Sequence, residues 1–100
     1  MNRTEITMVR IYITEKSKLL SPIVDYLVKE VHIRGVSVFR AIEGFGETGS
    51  HTASFLDLSL DLPLAIEFFD SPEKINTLLT HLSTMVKPLH IVSWSAFVMD

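Results

Sequence analysis

Cysteine is absent from this sequence of 100 residues, which excludes disulfides, thiolate zinc sites and a cysteine nucleophile. A strong charge of one sign is also missing: nine Lys and Arg against twelve Asp and Glu give a net charge of -3. That balance lacks the basic footprint of a nucleic-acid-binding protein. The N-terminal stretch MNRTEITMVRIYI has no long apolar core, so it predicts neither a signal peptide nor a membrane span. We therefore expect a cytoplasmic protein without a nucleic-acid partner or direct membrane insertion.

The composition is that of one globular domain spanning residues 1–100. Hydrophobic residues make up 47% of the chain and charged residues 21%, which argues against disorder. A domain this small buries only about two-thirds of its unfolded surface. It gains stability if another copy covers a face that is open in the monomer.

Four segments show the period-two alternation and β-branched content that are typical of strands. They are residues 6–14, 36–43, 62–69 and 90–98. Pro63 is expected at the start of the third strand, where a missing N–H is tolerated.

A first helix is predicted between the first two strands. Residues 19–33 place apolar side chains on one helical stripe. Ser21 followed by Pro22 predicts an N-cap and a first helical position. Gly35 is placed to end the helix, since glycine tolerates the left-handed geometry found there.

A second helix is predicted after the third strand. The segment DSPE at residues 70–73 repeats the signal of a cap followed by proline, and Lys87-Pro88 breaks the apolar stripe. The resulting order β-α-β-β-α-β predicts an α+β, ferredoxin-like fold. Crossover handedness places both helices on one face of a four-stranded antiparallel sheet.

The predicted strands are apolar on both faces, although a sheet with one solvated face should show a polar phase. Leu64, Ile66 and Phe68 alternate with Ala65 and Phe69. We therefore expect other subunits to cover the helix-free side of the sheet. The alternative is a monomer with unusually apolar strands.

The connection over residues 44–61 is the functional candidate, because loops of roughly eighteen residues in compact domains are commonly functional or disordered. Its first part, residues 43–49, is rich in glycine, which lets backbone N–H groups approach an anion. Arg40 and His51 could donate hydrogen bonds to phosphate. The alternative is a flexible surface loop that uses glycine for its turns.

Other candidate residues predict less. Arg40 lies on a semi-buried strand face, where a pairing with Glu67 within or between subunits competes with a phosphate ligand. Trp94 is expected to be a core or interface anchor. Ser50 and His51 are adjacent, which does not make a catalytic dyad, and we expect no catalytic residue. The histidines show no paired metal-ligand spacing; they are His32, His51, His81 and His90.

The sequence resembles the domain-of-unknown-function 190 family, which is described as PII-like. The resemblance covers nearly the whole chain. It is carried by VRIYI at 9–13, RGVSVFRAIEGFG at 34–46, Leu56, Leu58-Ser59, DLPLAIE at 61–67 and DSPEKI at 70–75. The family is similar in fold to the nitrogen-regulatory PII proteins and to CutA, which implies a homotrimer with its sheets facing inward.

The resemblance also implies a site. Residues 44–61 would correspond to the T-loop, which contacts a protein partner, a membrane transporter among the candidates. An adenine nucleotide (AMP, ADP or ATP) would bind as effector in clefts between subunits at the base of that loop. The cleft would draw on Gly35, Arg40, Glu43, Gly44, Phe45, Gly46, His51 and Lys87.

Three classes of function therefore compete. The preferred one is a PII-like signal transducer that responds to a nucleotide. The alternative is a structural or metal-responsive oligomer of CutA type that does not bind nucleotides. An enzyme is disfavoured, because the acylphosphatase version of the fold needs a glycine-rich phosphate cradle after the first strand. Residues 14–18 contain no glycine.

Overall fold

The computed structural model describes residues 2–46, 49–52 and 62–100, with the side chains of 43–46 and 49–52 excepted. The strands are β1 (Arg3–Thr14), β2 (Gly35–Arg40), β3 (Glu43–Gly46), β4 (Gly49–Thr52), β5 (Pro63–Asp70) and β6 (Ile91–Met99). The helices are α1 (Leu20–Asp25), which continues as a π-helical turn (Tyr26–Val31), and α2 (Pro72–Leu82). Short 3-10 turns cover Glu15–Ser17 and Pro88–His90.

The main sheet has the order β2-β5-β1-β6, and every neighbouring pair is antiparallel. This is the predicted ferredoxin-like arrangement, and the four strands and the order of the elements are confirmed. Pro63 begins β5, as its missing N–H requires. Strands β3 and β4 form a separate two-stranded ribbon.

The core lies between the sheet and the helices. Val9, Ile11, Ile66 and Phe68 of the central strands β1 and β5 are almost completely buried. The helical segments pack apolar side chains against them, namely Ile23, Leu27, Ile75, Leu78 and Leu82. Each such side chain contributes about 1.5–3 kcal/mol through removal of apolar surface from water. The helix-covered face of the sheet is therefore buried within one chain.

Helix α1 begins earlier than predicted. Leu19 is its N-cap residue and gives no side-chain cap, so the prediction of Ser21 as N-cap is wrong. The reason is the preceding turn, where Lys18 adopts a left-handed conformation at φ 60°. The Ser17 hydroxyl then accepts a hydrogen bond from the Leu19 N–H at 3.3 Å. The chain is therefore in a turn just before Leu20, and the helix begins at that residue.

The end of this helical segment also differs from the prediction. His32, not Gly35, takes the left-handed conformation, at φ 56° and ψ 53°. The Ile33 N–H donates to the Leu27 carbonyl at 2.9 Å and closes the segment. Gly35 instead begins β2 opposite Phe69, where a Cβ would lie 3.1 Å from the ring. Close packing accounts for this glycine.

Helix α2 starts as predicted. The Ser71 hydroxyl accepts a hydrogen bond from the Lys74 N–H at 3.3 Å, and Pro72 occupies the first turn. The helix ends at Leu82, before the predicted break at Lys87-Pro88, and turns lead to β6. Of the described helices, none has the length and apolar character needed to cross a bilayer.

Asp70 is a buried carboxylate that joins three parts of the fold. It accepts hydrogen bonds from the N–H groups of Ser71 at 2.8 Å and Arg34 at 3.0 Å, and its Oδ2 lies 3.2 Å from Lys74 Nζ. Burial alone would raise the pKa of Asp70, but these donors outweigh it and lower the pKa. The start of α2 is thereby tied to the start of β2.

Candidate functional site

Arg40 lies at the end of the sheet where both ends of the 41–62 connection meet. It is opposite Leu64 of β5, which pairs in turn with Ile13 of β1. The Ala41 N–H donates to the Pro63 carbonyl at 2.9 Å, and the Glu15 N–H donates to the Leu62 carbonyl at 3.2 Å. The connection therefore leaves and re-enters the sheet within one hydrogen-bonded cluster.

The first part of the connection is a β-ribbon, although the sequence pattern predicts no sustained period there. Gly44 pairs with His51, and Gly46 pairs with Gly49. The ribbon gathers five of the predicted site residues, namely Glu43, Gly44, Phe45, Gly46 and His51. The remainder of the predicted T-loop, residues 47–48 and 53–61, lies outside the described residues. The sequence shows no alternation of polar and apolar residues here, because three residues of the ribbon are glycines.

Arg40 is paired with a different carboxylate from the one considered at the sequence level. Its Nη1 forms an ion pair with Glu15 Oε1, in the 3-10 turn that follows β1. A pairing with Glu67 inside the chain is wrong, because Arg40 and Glu67 belong to opposite faces of the sheet. The Glu67 carboxylate pairs instead with Arg10.

The Arg10–Glu67 pair lies at the centre of the helix-free face. Glu67 Oε2 accepts hydrogen bonds from Arg10 Nε at 2.8 Å and from Nη2 at 2.5 Å. The guanidinium also lies 5.2 Å from the centroid of the Trp94 ring and 3.5 Å from the Tyr12 hydroxyl. The Tyr12 hydroxyl and the Glu67 carboxylate both raise the pKa of Arg10. Arg10 is therefore a fixed positive charge on a mainly apolar surface.

Large apolar side chains surround this pair. Residues that face each other in an antiparallel register share one face of the sheet, and the register groups Tyr12, Phe39, Val92 and Trp94 with Arg10. These four side chains are 38% to 55% exposed in the single chain. Trp94 is therefore not a core residue, and the interface role that the sequence left open is compatible with its position.

Lys87 lies at the same end of the sheet as Arg40 but at the opposite edge. It directly precedes the Pro88–His90 turn, and β6 then begins at Ile91 opposite Ile11. Arg40 ends the edge strand β2, so three interstrand spacings, about 14 Å, separate the two edges. Gly35 begins β2, five residue rises or about 17 Å from Arg40. Within the chain, Gly35 is therefore separated from Arg40 by the length of β2, and Lys87 precedes the strand at the opposite edge of the sheet.

A depression of about 290 Å³ lies between the helical segments, and Arg40 is not among its lining residues. The rings of Tyr26 and His81 both line it, with centroids 4.3 Å apart and planes tilted by 32°. Burial, with a smaller effect of Glu30, raises the pKa of Tyr26. Among the side chains of residues 2–42 and 62–100, no group of three or more potential metal-ligating side chains converges.

Comparison of the sequence with known families gives one match along almost the whole chain. The model of the DUF190 family, described as "Uncharacterized ACR, COG1993", matches residues 6–98. UPF0166 protein MJ1524 of Methanocaldococcus jannaschii is 31% identical over 84 residues, which cover 80% of this chain and 78% of that protein.

Comparison with solved structures identifies the same fold. CPII, a nitrogen regulatory PII-like protein from Thiomonas intermedia K12 bound to ADP, AMP and bicarbonate, superposes with a TM-score of 0.76 at 14% identity, covering 99% of this chain and 92% of that one. A PII-like signaling protein from Thermus thermophilus gives 0.64 at 17% identity, with 98% and 91% covered. Divalent ion tolerance protein CutA1 from Ehrlichia chaffeensis gives 0.58 at 9% identity, with 95% and 82% covered. At these identities the likeness establishes the fold.

Proposed function

This chain belongs to the DUF190 family and has a PII-like fold, and from that premise we propose that it is a cytoplasmic signal-transduction protein and not an enzyme. Its effector is an adenine nucleotide, AMP, ADP or ATP. The nucleotide binds in clefts between the subunits of a homotrimer. Residues 44–61 transmit its presence to a protein partner, with a membrane transporter among the candidates.

The homotrimer is supported by the helix-free face. Tyr12, Phe39, Val92 and Trp94 leave a large apolar surface exposed around one ion pair. Contiguous apolar patches of this kind on small soluble domains mark interaction sites. A second and third copy, each with the same face, would remove these side chains from water.

The location of the cleft is supported by the separation of Arg40 and Lys87. Arg40 ends the edge strand β2, and Lys87 precedes the other edge strand, β6, at the same end of the sheet; the two edges are about 14 Å apart. Where the β2 edge of one copy meets the β6 edge of another, the two cations converge beside the glycine-containing ribbon. The position of Arg40 at the base of the 41–62 connection, next to the glycine-containing ribbon, is the observation that carries the proposal.

The choice of adenine nucleotide follows from the fold neighbours. CPII is described with ADP and AMP bound, and its chain aligns with 99% of this one. An effector that binds one arrangement of residues 44–61 better than another shifts the population towards that arrangement. The segment would then expose or withdraw a surface for its partner.

The test is a thermal-denaturation panel with AMP, ADP, ATP and adenosine on protein whose mass in solution is measured in parallel. A ligand that binds the native state raises the midpoint by mass action. We expect at least one nucleotide to raise the midpoint of the wild type and Arg40→Gln to lose most of that shift. Arg3→Gln is the matched control, since Arg3 begins β1 and its guanidinium lies over Phe97.

A trimer that ignores every nucleotide would contradict the proposed effector. The same instrument then separates the CutA-like alternative, because a divalent metal ion would raise the midpoint of that oligomer. A trimer that responds to metal and not to nucleotide would favour a metal-responsive protein.

A further inference from the structure

We propose that Glu15 is a specificity-determining residue of the nucleotide site, because its carboxylate occupies Arg40 until a phosphate group displaces it. This inference rests on the proposed function. It assigns a role to a residue outside the predicted site. It also explains why the arginine proposed to bind phosphate is paired with a carboxylate when no ligand is bound.

The position of Glu15 is fixed by its backbone. Its N–H donates to the Leu62 carbonyl at 3.2 Å, and its carbonyl accepts from the Lys18 N–H at 3.2 Å. The Ser17 hydroxyl donates to the Thr14 carbonyl at 2.6 Å and closes the same turn. The backbone from which the carboxylate reaches Arg40 is therefore held in place by hydrogen bonds, although the ion pair itself is partly exposed.

The Glu15 carboxylate is a chemical substitute for the ligand. A guanidinium binds carboxylate and phosphate through the same fork of N–H donors. The Glu15 carboxylate contacts Nη1 of Arg40, so a phosphate that takes the Nη1 donors displaces it, because two anions at one nitrogen repel each other. Glu15 therefore competes with the ligand for Arg40.

This competition discriminates by charge. A phosphate group with close to two negative charges gains more from Arg40 than a carboxylate does, and it can displace Glu15. A neutral ligand gains nothing from the displacement. Glu15 thus lowers the affinity for every anion, and only strongly charged ligands overcome it.

The displacement also reaches the base of the loop. The turn that holds Glu15 is bonded to Leu62, and Ala41 is bonded to Pro63. When the carboxylate leaves Arg40, an ion pair is lost beside the hydrogen-bonded cluster where the 41–62 connection meets the sheet. Occupancy of the site by phosphate is thereby coupled to the segment proposed to contact the partner.

The experiment is a calorimetric titration of AMP and of adenosine into the wild type, Glu15→Gln, Arg40→Gln and the double variant. Because exposed ion pairs contribute little, we expect Glu15→Gln to tighten AMP by about two- to five-fold. Adenosine should bind to the wild type and to Glu15→Gln with the same affinity. The tightening should disappear in the Arg40→Gln background, because the pair then no longer exists.

Two controls protect the result. Glu73→Gln removes a carboxylate from the exposed first turn of α2 and should leave both affinities unchanged. Glu15→Ser serves as a second variant if the glutamine hydrogen-bonds to Arg40. If the wild type prefers AMP to adenosine but neither Glu15 variant tightens AMP, the competition is wrong and the proposed function stands. If the wild type binds no adenine nucleotide, both are wrong.

Discussion

Both faces of the main sheet carry large apolar side chains, but only one face is buried within the single chain. On the helix-covered face, Phe68 is 1% exposed, whereas on the helix-free face Phe39 is 55% exposed. The carboxylates on the two faces differ in how many separate groups donate hydrogen bonds to them. Asp70, on the covered face, has three donors to its carboxylate. Glu67, three residues earlier on the other face, directs one oxygen at Arg10.

The difference teaches that strand composition does not follow burial within the single chain, and in the proposed assembly it follows burial between subunits. A face that remained in water would not require side chains as large and apolar as Trp94 and Phe39. A face that becomes buried needs those side chains, and it also needs the Arg10–Glu67 pair to stay paired, because an unpaired buried charge is costly. The helix-free face has both features.

The largest expected effect separates two phenylalanines on neighbouring strands. Phe68→Ala should lower the free energy of unfolding by about 3–5 kcal/mol, through lost burial and an unfilled cavity. Phe39→Ala should have a much smaller effect at low protein concentration, and its effect should grow with concentration as self-association contributes. Urea denaturation at two protein concentrations measures both. Equal losses at the lower concentration would show that the faces are not different in the single chain.

The next effect compares two valines of nearly equal exposure. Val92, on the helix-free face, is 45% exposed, and Val28, on the helical segment, is 46% exposed. Val92→Lys would place an unpaired charge opposite Arg10 in the proposed interface, and we expect the dissociation constant of the oligomer to rise at least a hundredfold, about 3 kcal/mol. Val28→Lys is the matched control and should assemble normally. Sedimentation velocity over a dilution series gives the comparison, and unaltered assembly of Val92→Lys would remove this face from the interface.

The third effect concerns the satisfied carboxylate of the covered face. Asp70→Asn should cost about 1–3 kcal/mol, because hydrogen bonds to a charged group are lost. The folded pKa of Asp70 is lowered, so the carboxylate stabilises the protein above the unfolded value of about 3.8. This stabilisation disappears as the pH falls through the lower, folded value. The difference between wild type and Asp70→Asn in urea denaturation should therefore shrink below about pH 4; a difference that is constant from pH 7 to pH 3 would contradict the assignment.

The smallest effect is expected from the equivalent change on the other face. Glu67→Gln should change the unfolding free energy of the dilute protein by less than about 1 kcal/mol, since the Arg10–Glu67 pair is partly exposed there. In the proposed oligomer this face is covered, so we expect a larger loss there. Measurement of unfolding below and above the association concentration tests this. A loss above about 2 kcal/mol in the dilute protein would mean that the pair already supports the single chain.

Local signals in the sequence predict much of this fold. The alternation within residues 62–69 identifies β5, and Ser71 with Pro72 identifies the start of α2, because capping and proline act within one turn. The π-helical turn after Asp25 is not predicted, since the apolar stripe continues through it. The left-handed His32 is not predicted either, because glycine is the usual residue there and Gly35 lies close by.

The pairing of charges could not be predicted from the same signals. Arg40 and Glu15 meet because the end of β2 and the turn after β1 lie at one end of the sheet, and that proximity depends on strand order and register. Glu67 shares a strand with Leu64, the register partner of Arg40, but its side chain lies on the opposite face. Local periodicity gives the phase of each strand; only the assembled sheet gives the neighbours.

The most direct test of the central claim is native mass spectrometry of the wild type with and without ADP. If the helix-free face is completed by other copies and the nucleotide cleft lies at their seams, the protein should appear at about 34 kDa, three times the 11.3 kDa chain. Up to three ADP molecules should bind to that species and none to the single chain. A particle of 11.3 kDa at micromolar concentration, or ADP bound to a lone chain, would contradict the account.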